Sequence, residues 1–530
     1  MQRVQTFARR SRGCLLAVCL LLIGIEPCAA VKLAYTVGAD GQCDFHNLNS
    51  AIVALKQNPN PNRIFVAVST AAPTASIAID NVDLTIQGGF ANCSDFNAPS
   101  ARTTIDGSGN GGHSVFAITG SSNVVLENLT ISNAAAGSDD GGGIHFNGSG
   151  SLTLSATSVQ LNHAHNGAGI EMDAAGGSAS LILGSGVFVS GNRASGDGGG
   201  IRLTGPSVLS MTEDGSQIAN NHADSGGGGG LMIVGPAAGY VGSPGVGSAA
   251  AISGNWANDG GGVAVVAGDG SALNGYLYLF ATDSTRPGRI SGNQAFSNGG
   301  GVYLNSHSPT FGDDGYGVLC AYGFRIDMNA ASEGTAIYTD FDSSIGGDAP
   351  GLAFLSNDKA SPNPTCPSST FDTYGAKQCT AAGCNLIDAN EALDVGNDNV
   401  PTDGATLYTR DDGGYTSLYL VGVKLHDNIG GYLAHGTGSM DVFATLSSSN
   451  HLAHELLRFE NAGFAHISSS TLADDEIDSQ YVIHSEQYIY LHGSIIAEAG
   501  TKTLEYTGDS DQEDVADLVT NDVSTLPAVS

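Results

Sequence analysis

Short apolar runs alternate with polar residues through the middle of the chain. In the interval that opens at Ile144, this alternation predicts three short strands, at 144–146, 152–154 and 159–161, parted by Gly, Ser and Asn turns. Apolar spacing typical of helices is nearly absent over residues 120–342. Helices are therefore not expected to connect these strands.

A repeated motif accompanies the strands: Asn-x-Ala, a short spacer, then Gly-Gly/Ala-Gly and a branched aliphatic residue. The copies recur about every 30 residues, too irregularly for a coiled coil and too far apart for leucine-rich repeats. They start at Asn133, Asn162, Asn192, Asn221, Asn255, Asn293 and Asn329. Asparagine can satisfy turn amides with its own side chain, so we expect these seven to form an internal, structural stack of hydrogen-bonded amides. The small Ala after each is expected to point into a narrow interior.

Three short strands in each turn of about 30 residues, without helices, predict an all-β fold: a parallel β-helix whose coils stack at the strand spacing of about 4.8 Å. The open ends of such a helix expose strand edges, which must be covered. Residues 44–57 carry Leu48, Ile52 and Leu55 at helical spacing and so predict an N-terminal capping helix.

The chain is thereby divided into six parts. These are a signal peptide at 1–30, the N-terminal cap and first coils at 31–100, the repeat β-helix at 101–345, a Cys- and Pro-rich insertion at 346–400, C-terminal coils at 401–506, and an acidic tail or cap at 507–530. We interpret the insertion as a pinned loop or lateral excursion and not as a separate domain.

The first 30 residues have the pattern of a secretory signal peptide: a basic segment, an apolar run, and small residues before a cleavage point after Ala30. The apolar run is shorter than the roughly 20 residues of a spanning helix. No later stretch resembles a spanning helix, so no integral membrane segment is expected in the mature chain. The protein is expected to be exported, to the medium, the cell surface, the outer membrane or the periplasm.

Six cysteines remain after the signal peptide, and an even number in an exported chain predicts disulfides. The candidates are Cys43, Cys93, Cys320, Cys366, Cys379 and Cys384. Cys43 and Cys93 stand apart from the other four, so we expect them to pair; the pairing of the others stays open. A zinc site at Cys379 and Cys384 is the alternative, although its spacing and the oxidising compartment both suit zinc poorly.

Composition and charge exclude several classes of protein. Hydrophobic residues make up 41% of the chain and charged residues 13%, which is unlike a disordered protein. The formal net charge is −33, and such a field repels nucleic acid, anionic lipid and polyuronates unless cations intervene. No nucleic-acid partner is expected.

The Asn-x-Ala…Gly-Gly-Gly-Ile repeat is similar to the polymorphic outer-membrane protein repeats, and it resembles secreted bacterial proteins with right-handed parallel β-helices. Strings at 88–94, 102–107 and 123–131 look like the N-terminal portion of such proteins. The resemblance implies a pectin-lyase-like fold with right-handed coils. It does not decide activity, because this fold hosts lyases, hydrolases and adhesins.

Candidate chemistry is sparse. Adjacent aspartates at 139–140, 313–314, 411–412 and 474–475 could serve acid/base cleavage only if they converged, and neighbours on a strand point to opposite faces. No catalytic residue, metal site or cofactor is predicted. The first hypothesis is an exported, non-catalytic β-helix with an adhesive or glycan-binding role, whose partner is a glycan or a cell-surface molecule. The alternative is a polysaccharide-degrading hydrolase or lyase.

Overall fold

Strands dominate the computed structural model of the chain, and each pairs in parallel with strands of the coils before and after it. The result is the parallel β-helix that the strand pattern predicts, with the right-handed coils that the resemblance implies. The structure describes residues 34–506 except 58–61, 69–72, 95–98, 100, 176, 244–249, 269–273, 282–287, 306–316, 323, 341–351, 357–384, 394–403, 411–415, 438, 444, 461–464, 474, 478–480, 487–488, 493 and 498–501. The signal peptide and the acidic tail lie outside the described residues.

One coil contains three strands of the predicted kind and a fourth of two residues. In the coil that begins at Ile170 they are Ile170–Asp173, Ala179–Leu183, Phe188–Ser190 and Arg193–Ala194. The equivalent strands of successive coils form four stacks, which we call sheets 1 to 4 in that order. Sheets 1 and 2 are continuous at two long strands, Phe116–Glu127 and Ile144–Ser155, whose first halves belong to sheet 1 and second halves to sheet 2.

The remaining strands of sheet 1 are Ile77–Asp80, Ile201–Thr204, Leu231–Val234, Val263–Val266, Val302–Asn305, Ile337–Asp340, Ala405–Thr409, Tyr432–Gly436, Leu457–Phe459, Tyr481–Ser485 and Lys502–Tyr506. Those of sheet 2 are Tyr35–Val37, Arg63–Ala67, Leu84–Phe90, Ser207–Met211, Ala238–Ser243, Gly275–Ala281, Gly317–Tyr322, Leu352–Ser356, Thr416–Val421, Ser439–Phe443, Ala465–Ser468 and Ile489–His492.

Those of sheet 3 are Thr103–Asp106, Leu129–Ser132, Ser158–Gln160, Gln217–Ala219, Ala251–Ser253, Arg289–Ser291, Arg325–Asp327, Asn385–Asp388, Val423–His426, Leu446–Ser448, Thr471–Ala473 and Ile495–Ala497. Those of sheet 4 are His163–Ala164, His222–Ala223, Trp256–Ala257, Gln294–Ala295, Ala330–Ala331, Glu391–Ala392, Ile429–Gly430, His451–Leu452 and Glu476–Ile477.

The core is a column of aliphatic side chains inside the coils. Because alternate residues of a strand face opposite sides, one residue in two points inward and stacks on its equivalent in the next coil. Ile170, for example, pairs with Ile144 on one side and Ile201 on the other, and all three are fully buried. The alanines of the repeat are buried too, Ala194 and Ala223 completely.

The N-terminal end is closed by the helix Leu48–Gln57, which buries Leu48, Ile52 and Leu55. Its first turn is capped by Asn47, whose Oδ1 accepts from the Ser50 amide at 2.9 Å. The predicted Cys43–Cys93 disulfide is confirmed. A short 3₁₀ turn, Gly107–Gly109, follows in the first coils.

The range predicted as an insertion contributes to the coils. Leu352–Ser356 pairs with sheet 2 strands on both sides, and Asn385–Asp388 does the same in sheet 3. The described parts of this range, 352–356 and 385–393, therefore belong to the coils, and the rest of 346–400 lies outside the described residues. Among the described residues no helix has the length and apolarity needed to cross a membrane.

Candidate functional site

An asparagine ladder runs along the turn between sheets 3 and 4. Each asparagine from Asn192 onward uses its Oδ1 to accept two hydrogen bonds from the preceding ladder residue, one from the backbone N–H and one from Nδ2. At Asn221 these distances are 3.0 and 2.9 Å, from Asn192. Its own Nδ2 donates to Asn255 Oδ1 and to the Val189 carbonyl. The ladder contains Asn162, Asn192, Asn221, Asn255, Asn293, Asn329, Asn390, Asn428 and Asn450.

Asn133 lies outside this ladder, although its motif matches. Its φ of 62° places it in the left-handed turn just before the ladder position, and its exposed side chain donates to Asp106 Oδ1. Ala134 occupies the ladder position, where its N–H donates to Asn162 Oδ1 at 3.1 Å. The pairings Ser132↔Gln160 and Ala135↔His163 align Asn133 with Leu161, so the motif match at Asn133 lies one residue before the ladder position.

The ladder extends further than the motif indicates. Asn390 is followed by Ala392, as in the motif, but no glycine segment comes after it. The last described member, Asn450, donates to Asp475 Oδ1 at 2.8 Å. The Asn-x-Ala triplet alone would have located Asn390, whereas Asn428 and Asn450 carry no such signal.

A second row of side chains caps backbone amides at the turn into sheet 1. Asp140 accepts from the N–H of Asn166, Asn166 from that of Asp197, and Asp197 from that of Gly227, all at 2.9 to 3.0 Å. These residues immediately precede the first glycine of each motif. Both rows of amide and carboxylate groups are therefore structural, because their oxygens accept from the backbone of a neighbouring coil.

The remaining predicted site residues are cysteines. Cys320 is buried and disulfide-bonded. Cys366, Cys379 and Cys384 lie outside the described residues, so their pairing stays open.

Of the adjacent aspartates, only those at 139–140 are fully described. Asp139 Oδ2 contacts His113 Nδ1 at 2.8 Å, whereas Asp140 Oδ1 contacts His165 Nδ1 at 3.3 Å. The two carboxylates thus bind different histidines and do not converge on one point.

An outward row of polar and aromatic residues follows sheet 4. It is formed by the middle residues of five successive Asn-x-Ala triplets: His163, Arg193, His222, Trp256 and Gln294, which pair in register. We call it the sheet 4 row. These residues are exposed or half-buried, and they follow one another at the coil spacing of about 4.8 Å.

The centre of the sheet 4 row is held by specific contacts. Arg193 Nε lies 2.8 Å from Asp224 Oδ1, and His222 Nδ1 lies 3.2 Å from the same oxygen. The imidazole of His222 packs edge-on against Trp256 with 4.1 Å between ring centroids. Partial burial lowers the pKa of His222, although Asp224 opposes the shift, and this favours the neutral form of the ring.

A second cluster lies on the outer face of sheet 1, where Tyr408, His435 and Arg458 pair in register. With Tyr432 and Glu460 they form what we call the His435 cluster. His435 Nε2 is 3.7 Å from Glu460 Oε2, and Arg458 Nε donates to Glu460 Oε1 at 2.6 Å. The Tyr432 ring packs against His435 and under the Arg458 guanidinium.

The electrostatics of the His435 cluster favour a neutral histidine beside an ionised carboxylate. Burial lowers the pKa of His435 despite the nearby Glu460. Burial alone would raise the pKa of Glu460, but the hydrogen bond and charge of Arg458, together with His435, lower it. His435 Nδ1 is buried without a hydrogen-bond partner among the described residues. The neutral imidazole is the form that can act as a general base.

Comparison with known proteins finds no matching family model, no similar curated protein and no similar solved structure. Function is therefore inferred from the fold and from two groups of surface residues, the sheet 4 row and the His435 cluster.

Proposed function

We propose that the chain is an exported β-helix that binds a neutral glycan, without cleaving it, along the sheet 4 row. The observation that carries this proposal is the position of Trp256. It is the only tryptophan of the chain, and it lies half-buried on the outer face and not in the aliphatic core. An indole ring combines a large apolar surface with a hydrogen-bond donor, which suits ligands with apolar faces and hydroxyl edges.

The neighbours of Trp256 complement such a ligand. Arg193, His222 and Gln294 place hydrogen-bond donors and acceptors on both sides of the ring, while the Arg193 charge is matched by Asp224. Phe296, in the next coil, is 52% exposed and adds apolar surface nearby. Because the chain has a formal net charge of −33, a neutral polysaccharide is favoured over an acidic one. Export is supported by the signal-peptide pattern and by the Cys43–Cys93 disulfide.

Tryptophan fluorescence tests this proposal directly, because Trp256 is the only indole. We expect titration with a panel of neutral polysaccharides to change the emission for at least one of them. Trp256→Ala should weaken binding of that polysaccharide by about tenfold or more, measured by calorimetry, since buried aromatic anchors dominate such contacts.

Tyr490→Ala is the matched control, because Tyr490 is an exposed aromatic residue on sheet 2 and its loss leaves Trp256 in place. It should bind as the wild type does. Equal affinity of the wild type and Trp256→Ala, or no binding to any polysaccharide, would count against the proposal.

A second candidate, a polysaccharide-degrading enzyme, is favoured by the His435 cluster. His435 would be the general base, Glu460 would orient its ring, and Arg458 would stabilise developing negative charge. His435→Gln should then abolish release of reducing ends or unsaturated products from a glycan panel, while His113→Gln, remote from the cluster, should not.

The pH profile gives an independent test of this candidate. Because burial lowers the pKa of His435 from its ordinary value of 6.5, the neutral base persists below that pH. The acidic limb of the rate should therefore have its midpoint below pH 6.5. If no glycan yields products, or if His435→Gln releases as much product as the wild type, the protein is not an enzyme that uses His435 as its base.

A further inference from the structure

Three metal-ligating side chains converge on the outer face of sheet 3, away from both clusters described above. Asp388 and His426 are paired residues on neighbouring strands, and Asp427 follows His426. His426 Nδ1 lies 3.1 Å from Asp388 Oδ1 and 3.1 Å from Asp427 Oδ2. All three candidate ligand atoms lie within 4.8 Å of one another.

A single well-aligned hydrogen bond accounts for only one of these two contacts. A histidine Nδ1 carries at most one proton, yet two carboxylate oxygens lie at the same distance from it. The ligand oxygens of the two carboxylates lie within 4.8 Å of each other and repel, and the adjacent positive charge of Arg325 is shared between Asp388 and Asp327. A cation at the centre would meet both requirements at once.

Arg325 orients the Asp388 carboxylate and leaves its second oxygen available to bind a cation. Arg325 Nη2 donates to Asp388 Oδ2 at 2.7 Å, which fixes the carboxylate so that its other oxygen, Oδ1, faces His426. Such an outer contact is typical of metal sites, where second-layer hydrogen bonds set the direction of the ligands. Asp327, fully buried in the coil before, forms an ion pair with the Nε of the same arginine.

The distances suit a small divalent cation. Metal–ligand bonds of about 2.1 Å place two ligand atoms of a tetrahedron about 3.4 Å apart, close to the two observed distances of 3.1 Å. An imidazole with carboxylates is a donor set for zinc and related late first-row metals, whereas calcium prefers oxygen ligands alone. Asp427 is about half exposed, so water can reach the remaining coordination positions.

We propose that Asp388, His426 and Asp427 bind one zinc-like divalent cation, which ties two successive coils together. The residues it would join are 38 positions apart in the chain. The sequence pattern does not predict this site. Its ligands lie in two successive coils, and the chain between them includes residues 394–403, where the repeat motif is absent.

Zn²⁺ is the ion with which we would test this proposal. The full mature chain, without a histidine tag and freed of metal by a chelator, should bind one equivalent of Zn²⁺ in calorimetry. Co²⁺ in its place should give the visible absorption of a low-coordinate N/O site. His426→Ala and Asp388→Asn should each weaken Zn²⁺ binding by about tenfold or more, since even outer-layer changes cost that much.

Two further variants make the outcome decisive. Asp427→Asn changes an exposed side chain and leaves the coil pairing intact, so it should fold as the wild type does, yet lose the rise in melting temperature that Zn²⁺ gives. His113→Ala removes a histidine that also pairs with an aspartate, at 2.8 Å, and should bind Zn²⁺ normally. Binding that is equal in the wild type, His426→Ala and Asp427→Asn, or no binding by the wild type, would overturn the proposal.

Discussion

Replacement of Asn221 by alanine is expected to lower the free energy of unfolding by about 4 kcal/mol. The Asn221 side chain is buried and makes four hydrogen bonds, two accepted from Asn192 and two donated, to Val189 and Asn255. Alanine would leave the N–H and the Nδ2 of Asn192 and the Val189 carbonyl short of a partner inside the coil. Each such buried polar group costs about 1–3 kcal/mol.

Urea denaturation followed by circular dichroism measures this effect. Asn147→Ala is the matched control, because Asn147 lies exposed on sheet 1 and should change stability by no more than about 0.5 kcal/mol. Asn221→Asp separates hydrogen bonding from packing: it keeps the shape and the acceptor but sets a carboxylate oxygen against the acceptors at Val189 and Asn255. It should be at least as destabilising as alanine. A denaturation midpoint of Asn221→Asp equal to the wild type would show that the ladder hydrogen bonds contribute little.

The repeat determined how much of the fold could be predicted. The aliphatic after each glycine segment and the asparagine before it mark two fixed points of every coil, and this was enough to predict parallel stacking without helices. The motif wrongly predicts Asn133 as a member of the stack, because motif matching does not detect a one-residue shift. The motif does not predict Asn428 and Asn450, because ladder hydrogen bonding requires only the asparagine, whereas the motif also requires the alanine that both of them lack.

The candidate sites were beyond sequence reasoning for a different reason. Tyr408, His435 and Arg458 are neighbours only because their coils have lengths that bring them into register. Those lengths depend on turns that carry no repeat, so spacing along the chain does not reveal the contact. The sheet 4 row was hidden within the motif itself: its residues occupy the variable position of Asn-x-Ala, which pattern matching disregards.

The glycines of the repeat give the second large prediction. Gly200→Ala is expected to destabilise the protein by about 3 kcal/mol or more. A Cβ at this position would lie 2.5 Å from the Gly230 carbonyl oxygen and 2.9 Å from Asn221 Nδ2. The carbonyl has little freedom to move away, because it accepts from the Ile201 N–H at 3.0 Å. The added methyl group would therefore force two coils apart and strain the ladder at the same point.

Gly41→Ala is the control for this prediction, since a Cβ there meets nothing within 4 Å. Its melting temperature should equal or slightly exceed that of the wild type, because alanine restricts the unfolded chain. The double variant Gly200→Ala, Asn221→Ala is the sharper test. Both changes disturb the same contact between coils, so their effects should sum to less than the two single losses. Full additivity, or a wild-type melting temperature for Gly200→Ala, would mean that the coil spacing is set elsewhere than at the glycine–asparagine contact.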